Sequence, residues 1–429
     1  MAGTLAKSDR WRRKEISLMM QKSTIYIGDF DLRNENVQAH LVRNNAKILN
    51  RLGYKVVFVG VNRDASNDEI RQLPQLDSLG ADNSYLELEN TLSISGLLKY
   101  RAVAKRIMSF MDEVAQDSDV RYVISYQSPT YASILKRVAE WCRRKNVKYI
   151  VNCADITIFD SQLLLRRIVM TLNWNYLHKV NKAYADGLIA VSSYISQFYH
   201  KEGMFSVVIP PLFDSFVEGD YQLADKTTFV YAGMPFVLKK NVSTVGMKDR
   251  LDKIIDLCLE LSSTGTEYRL LVIGITKDLY TTCVPRHKDS LEKNDDILFV
   301  GRYSHQDTLN AVRNADFMLN IRDNNIMNQA GLSTKVVESV SLGTPVVMNP
   351  IGDTFSYLRE GETGVKLTDE MSKNVEILRS LCARTGCERM KLKARCAGDR
   401  TFSIERYEEK LNDFLCEVGR NSIKNKGGN

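Results

Sequence analysis

The sequence predicts an α/β protein of two Rossmann-like domains facing each other across a cleft. Short apolar runs alternate with amphipathic helical stretches, the pattern of a parallel sheet covered by helices on both faces. The alternation starts afresh beyond Pro210-Pro211 and the polar run Asp220 to Thr228. The 429 residues also exceed what one hydrophobic core organises.

Taken in order, residues 1–22 form a polar and basic leader. Thr24 to Ile27 then reads as a strand, followed by Gly28-Asp29-Phe30-Asp31 and a helix from Asn36 to Leu52 that Gly53 ends. Lys55 to Gly60 is a compact apolar strand, which completes a βαβ unit. A helix over Leu97 to Val114 leads to the strand Tyr122 to Tyr126, and a helix over Tyr131 to Lys145 leads to the strand Lys148 to Val151. A longer helix over Ser161 to Ala185 precedes the strand Gly187 to Ser192. Val207 to Ile209 then runs into the two prolines, whose missing amides stop sheet pairing.

The second half repeats the scheme. Phe229 to Tyr231 is a strand leading through Gly233-Met234-Pro235 to a helix over Leu251 to Leu261, then the strand Arg269 to Ile273 ending at Gly274. A strand over Ile297 to Val300, a helix over Gln306 to Asn314 and a strand over Phe317 to Ile321 follow. A polar loop then opens the helix Thr334 to Ser341, before the strand Pro345 to Met348. The expected domains are 23–222 and 223–403, with 404–429 a C-terminal helix packing back on the first domain and ending in a polar tail.

Composition narrows the function. Apolar residues make 44% and charged residues 26% of the chain, so it is neither fibrous nor mainly disordered. Arg166 and Arg167 interrupt the most apolar helical stretch, Leu163 to Trp174, which argues against a membrane span. Arg10, Arg12, Arg13 and Lys14 stand in a leader without the apolar core of a secretory signal, so a cytoplasmic location is expected, with the inner face of the cell membrane as its extension. The eight cysteines lack paired short spacings, and the five histidines lack ligand spacing, so no metal site is expected. The basic cluster Arg143-Arg144-Lys145, with Arg166, Arg167, Trp174 and Tyr176, suits an anionic lipid surface or, more plainly, solvated helix faces over core aromatics. No interleaved aromatic platform for nucleic acid is present.

The chemistry concentrates in Arg322 to Ser339, between a buried strand and a helix start. Free amides and the positive dipole end at such a start hold phosphate. Gly331 lets the backbone approach an anion, Ser333 or Thr334 caps the helix, and Lys335 neutralises charge. Glu338 lies one turn beyond Thr334, where it either accepts hydrogen bonds from a sugar diol or merely stabilises the first turns. Lys248 is a second candidate cation, its plain alternative being an exposed lysine. In the first half Gly28, Asn36, Arg43, Gln127 and Asp155 sit at strand ends or helix starts as candidates for touching an acceptor.

The segment Ala330 to Val347, with Gly-Leu-Ser-Thr-Lys-Val-Val-Glu-Ser-Val-Ser-Leu-Gly-Thr-Pro-Val-Val at its core, resembles the donor-binding signature of retaining glycosyltransferases of family 4, which have the GT-B fold. Gly352-Asp353 and Glu360 to Gly364 resemble that family's following loops, and Asn-x-Ala-Gly-x-x-Thr-Lys-x-x-Glu-Ser resembles its capsular and exopolysaccharide branch. The resemblance implies that Glu338 holds the nucleotide ribose and that amides of Gly331, Leu332, Ser333 and Thr334 hold the diphosphate. Gly233 opens the second domain and Lys248 matches a phosphate-binding lysine. The family's arginine near Gly233 is replaced by Met234-Pro235, so Lys248, Lys335 and Arg322 are expected to neutralise the phosphates. The family's first glutamate is replaced by Ala330, with Asn328 or Gln329 as substitutes for its hydrogen bonds.

On this resemblance Lys248, Lys335 and Glu338 carry a metal-free transfer of a hexose, with retention, from a UDP-sugar to a glycan or lipid-linked acceptor in surface polysaccharide assembly. No cofactor is implied beyond that donor. Two alternatives stand beside it: a nucleotide-sugar epimerase of the same shape, needing several acids and histidines in the cleft, and an inactive nucleotide-sugar-binding protein, which Ala330 favours. Asp29-Phe30-Asp31 as a metal-holding acid pair fits a one-domain enzyme and leaves the second half unexplained.

Overall fold

The computed structural model describes residues 20–33, 36–62, 69–71, 85–89, 96–156, 164–214, 224–236 and 248–420. The basic leader through residue 19, the boundary at 222–223, the start of the Ser161 helix and the tail beyond 420 lie outside them.

The first sheet is built from β1 (Lys22–Gly28), β2 (Lys55–Asn62), β3 (Glu69–Arg71), β4 (Tyr85–Glu89), β5 (Asp119–Tyr126), β6 (Lys148–Cys153), β7 (Gly187–Ala190) and β8 (Ser206–Val208). Its order is β3-β4-β2-β1-β5-β6-β7-β8. Every pair is parallel except β3 with β4. Helices α1 (Val37–Arg51), α2 (Gly96–Asp117), α3 (Ala132–Lys145), α4 (Leu164–Tyr184) and α5 (Ser193–His200) cover its faces. The central strands read as unbroken apolar runs because both faces are buried: Ile25 pairs with Val57 on one side and Val123 on the other, and all three are within 2% of full burial.

The second sheet comprises β9 (Thr228–Ala232), β10 (Arg269–Ile273), β11 (Ile297–Gly301), β12 (Phe317–Asn320), β13 (Val346–Met348) and β14 (Gly364–Lys366) in the order β11-β10-β9-β12-β13-β14, all parallel. Around it lie α6 (Leu251–Ser263), α7 (His305–Asn314), α8 (Ile326–Ala330), α9 (Thr334–Ser341), α10 (Met371–Cys382) and α11 (Cys387–Thr401). Chain order reverses beside β1 in the first sheet and beside β9 in the second. Each reversal opens a crevice at the carboxyl ends of the strands, where ligands of open α/β sheets bind.

After α11 the chain returns to the first domain. Helix α12 (Glu408–Arg420) buries Leu411, Phe414, Leu415 and Val418 against Ile189, Val207 and Tyr122. The Tyr122 hydroxyl donates to the Leu415 carbonyl at 2.9 Å, and a Cβ on Gly187 would stand 2.7 Å from the Phe414 ring. Among the described residues no helix is long and apolar enough to cross a membrane.

Candidate functional site

The crevice of the second domain starts at Gly233, just beyond β9. Its φ of +130° calls for glycine, and the Lys335 Cε lies against the place a Cβ would occupy. The space that glycine leaves is filled by the Lys335 stem, whose Nζ also lies 5.9 Å from the centre of the Tyr231 ring. Lys335 Nζ donates to Asp249 Oδ2 at 2.6 Å, and Arg322 Nε donates to Asp249 Oδ1 at 2.7 Å. Asp249 and Arg322 are 3% and 5% exposed. Burial by itself would raise the Asp249 carboxyl, but Lys335 and Arg322 beside it hold it down at about 2.

Arg322, expected on the donor phosphates, is a buried partner of Asp249 through its Nε, and its backbone amide donates to Asn349 Oδ1 at 3.0 Å. Lys335 keeps 21% of its side chain exposed. Lys248 is the freer cation: its side chain is 45% exposed and its Nζ lies 4.0 Å from a Cβ built on Gly331.

Helix α9 begins beside these lysines. Ser333 is its N-cap residue but makes no side-chain cap bond, because its hydroxyl accepts from Asn320 Nδ2 at 3.3 Å. The Ser333 carbonyl takes the amides of Val336 and Val337, while the amides of Thr334 and Lys335 find no acceptor among the described residues. Two donors at the positive end of the dipole therefore point at the crevice without a partner. One turn on, Glu338 is half-buried, and its carboxylate has no hydrogen bond or ion pair among the described residues. Burial pushes its carboxyl up to about 7, against the pull of Lys335.

The loop ahead of α9 is fixed by its own side chains. Asn325 caps α8 by accepting from the Asn328 amide at 2.9 Å. Asn328, fully buried, donates to the Asp323 carbonyl at 2.9 Å. Gln329 bonds Asn324 at 2.6 Å and the Gly352 amide at 3.1 Å. These amide groups hold the loop, while Asn328 Oδ1 stays buried without a hydrogen bond among the described residues. Ala330 is fully buried in the core of the first domain, its carbonyl accepting from Ser192 Oγ. Its methyl packs at the contact between the domains. Leu332 is buried with Val336 and Val340, so only its backbone is left for ligand contact.

On the first-domain side, Gly28 ends β1 where a Cβ would stand 2.6 Å from the Tyr126 carbonyl oxygen. Asn36, a candidate for touching an acceptor, is the N-cap of α1, and its side-chain oxygen accepts from the Ala39 amide at 2.9 Å. Arg43 donates to the Leu32 carbonyl and so braces the loop after β1. Gln127 donates to the Tyr199 hydroxyl at 3.0 Å. Asp155, just past β6, accepts from Lys248 across the domains at 3.3 Å, and its other oxygen is buried without a hydrogen bond among the described residues.

Asp31 is 5% exposed and forked to Arg33 at 2.8 and 3.1 Å, so that carboxylate is already engaged within its own loop. The histidines are dispersed. His287 is buried between Tyr280 and Asp256, His178 packs against Phe198 and Tyr199, and His40 stacks on His305 between α1 and α7.

Two participants were given no role from sequence. Asp249 follows a lysine that was, but nothing local marks it as the partner of Arg322 and Lys335, 73 and 86 residues away. Asp353 accepts from the amide and hydroxyl of Ser193 at the start of α5, tying the second domain to the first.

No family model and no curated protein matches the sequence. Solved structures do match the fold over nearly its whole length. Sucrose-phosphate synthase from Thermosynechococcus elongatus is 12% identical with a TM-score of 0.61, covering 92% of this chain and 99% of its own. HepE from Anabaena, solved in complex with UDP-glucose, gives 12% identity and 0.61 over 92% and 99%. The lipopolysaccharide outer core galactosyltransferase WaaB gives 14% and 0.59 over 92% and 99%. With them the chain shares the GT-B architecture, two parallel-sheet α/β domains meeting at a cleft.

Proposed function

We propose that the protein is a retaining hexosyltransferase that takes a UDP-sugar into this cleft and passes the sugar to a glycan or lipid-linked acceptor, at the cytoplasmic side of surface polysaccharide assembly. The observation that carries the reading is Glu338: a half-buried carboxylate without a protein partner among the described residues, one turn from two unsatisfied amides and from Lys335. A buried polar group left without a partner is costly, and a ribose diol supplies the donors it lacks. HepE, a fold neighbour, is described with UDP, glucose and UDP-glucose, which supports that donor class.

In this reading the diphosphate lies against the amides of Thr334 and Lys335, with Lys248 and Lys335 meeting its charge without a metal. Charge grows on the diphosphate as the anomeric carbon–oxygen bond breaks, so donors already aimed there lower the barrier. The acceptor hydroxyl attacks from the same face of the sugar, and its proton passes to the departing phosphate oxygen. Lys248, Lys335 and Glu338 are then the residues in contact with the donor. Asp155, with one buried oxygen unbonded among the described residues, faces the acceptor side. The epimerase alternative needs acids and histidines gathered in the cleft, and His287 and His178 are engaged elsewhere.

Incubating the protein with a panel of nucleotide sugars and separating the products by chromatography tests this. Release of UDP with a new glycoside, lost in Glu338→Ala, supports it. Tight UDP binding with neither transfer nor hydrolysis makes the protein a nucleotide-sugar binder, and absence of affinity for any activated sugar overturns the donor site.

A further inference from the structure

Four of the twelve exposed large apolar side chains among the described residues lie between positions 168 and 176 of α4: Ile168 (46% exposed), Val169 (47%), Leu172 (62%) and Tyr176 (40%). Ile168, Leu172 and Tyr176 follow at four-residue spacing, with Val169 beside them, so they share one side of the helix. The opposite side buries Leu177 and Asn181, and the stripe itself ends where its next four-residue step, Val180, is buried. Further along the apolar side come Lys179 and Lys182, both exposed, Lys182 being paired with Glu202. The helix has four Lys and Arg and no acid in 21 residues. Its neighbour α3 has five against the single Glu140, and Arg143 there ties the two together through the Ala183 carbonyl at 3.1 Å and the Tyr184 ring at 4.4 Å. Arg167 and Lys179 have no ion pair among the described residues.

An apolar stripe flanked by uncompensated cations matches one occupant, the surface of an anionic bilayer: the stripe enters the headgroup boundary while the cations meet lipid phosphates. A second copy of this chain docking face to face would set these cations against one another. We infer that α4 docks the protein on an anionic membrane surface through Ile168, Val169, Leu172 and Tyr176, with Arg167 and Lys179 on lipid headgroups. Strand β6 runs toward the cleft, where Asp155 meets Lys248, and α4 returns from there, so the apolar half of the helix is its cleft-side half. Docking does not depend on donor chemistry. Its use, to present the cleft to an acceptor carried in the membrane, rests on the transferase reading.

The test is flotation of the purified chain with vesicles of phosphatidylcholine alone and of phosphatidylcholine with phosphatidylglycerol. The chain is expected to float with the anionic vesicles only, and less as salt rises. Ile168→Asp with Leu172→Asp is expected to lower the partition by about tenfold or more, and Arg167→Glu with Lys179→Glu to lower it on anionic vesicles. Circular dichroism and UDP affinity in both variants are expected to match the parent, since all four positions are exposed and outside the donor crevice. The parent chain staying unbound with both vesicle types overturns the docking, as does a dimer in sedimentation velocity that Leu172→Asp dissolves. Loss of UDP binding in the parent bears on the donor site alone.

Discussion

Glu338 carries two opposed demands. Burial disfavours its ionised form and pushes its carboxyl up to about 7. A sugar diol donating two hydrogen bonds favours the ionised form, so binding a nucleotide lowers that value and releases a proton. Affinity for UDP is therefore expected to be full above pH 7 and to fall as the pH drops below it, read by calorimetry in buffers of different ionisation enthalpy. Glu338→Gln keeps an acceptor oxygen and is expected to flatten the dependence. Glu338→Ala removes charge-assisted bonds of about 1.5–3 kcal/mol, which weakens UDP roughly ten- to a hundredfold; equal affinity and an unchanged pH profile in both variants would remove the ribose assignment. Asp249 runs the other way. Its folded carboxyl is held at about 2, below the ordinary value of about 3.9, so its contribution to stability is whole above that ordinary value and drains as pH falls toward 2. Asp249→Asn leaves the Arg322 charge buried and unpaired. It is expected to lower stability by about 3–5 kcal/mol in urea unfolding and to erase the acid loss between those two pH values.

At the scale of elements, the site is a strand end, a self-tied loop and a short helix that depend on one another. Gly233 makes room for Lys335, Lys335 reaches Asp249, and Asp249 holds Arg322 at the end of β12. Gly233→Ala puts a methyl on the Lys335 stem and a side chain at a φ of +130°. It is expected to lower stability by about 1–3 kcal/mol in thermal unfolding and to weaken UDP through the displaced lysine. How legible each element was follows from the same physics. Central strands such as β2 and β12 stood out because burial on both faces leaves an unbroken apolar run. Strands β3 and β4, at the sheet edge, escaped notice: Tyr-Leu-Glu-Leu-Glu is short and half charged, and β3 has only three residues. The helix start at Thr334 and the place of Glu338 were readable because capping and one-turn spacing are local. The employment of Arg322, Asn328 and Gln329 was not, since their partners are set by the tertiary fold and by a loop that bonds to itself.

Across the whole molecule the two domains meet through contacts of different kinds. Ser192 with the Ala330 carbonyl, Ser193 with Asp353, and the Phe213 amide with the Phe402 carbonyl at 3.0 Å involve none of the lysines of the crevice. Lys248 with Asp155 lies at the crevice itself, where a donor diphosphate and Asp155 would compete for one ammonium group. Both side chains are more than a third exposed, so that pair contributes about 0–1 kcal/mol, against two phosphate charges on the ligand. Donor binding is therefore expected to break it and to free the domains to settle around the ligand. Asp155→Ala should strengthen UDP binding up to about fivefold, because Lys248 no longer has to leave a carboxylate, while slowing transfer if Asp155 also steadies the acceptor. Lys248→Ala should weaken UDP and slow transfer. The double variant separates the two effects: if Lys248 acts on the donor directly, removing Asp155 as well restores nothing, whereas recovery of parental affinity would mean that Lys248 serves only to offset the Asp155 charge and that the diphosphate rests elsewhere.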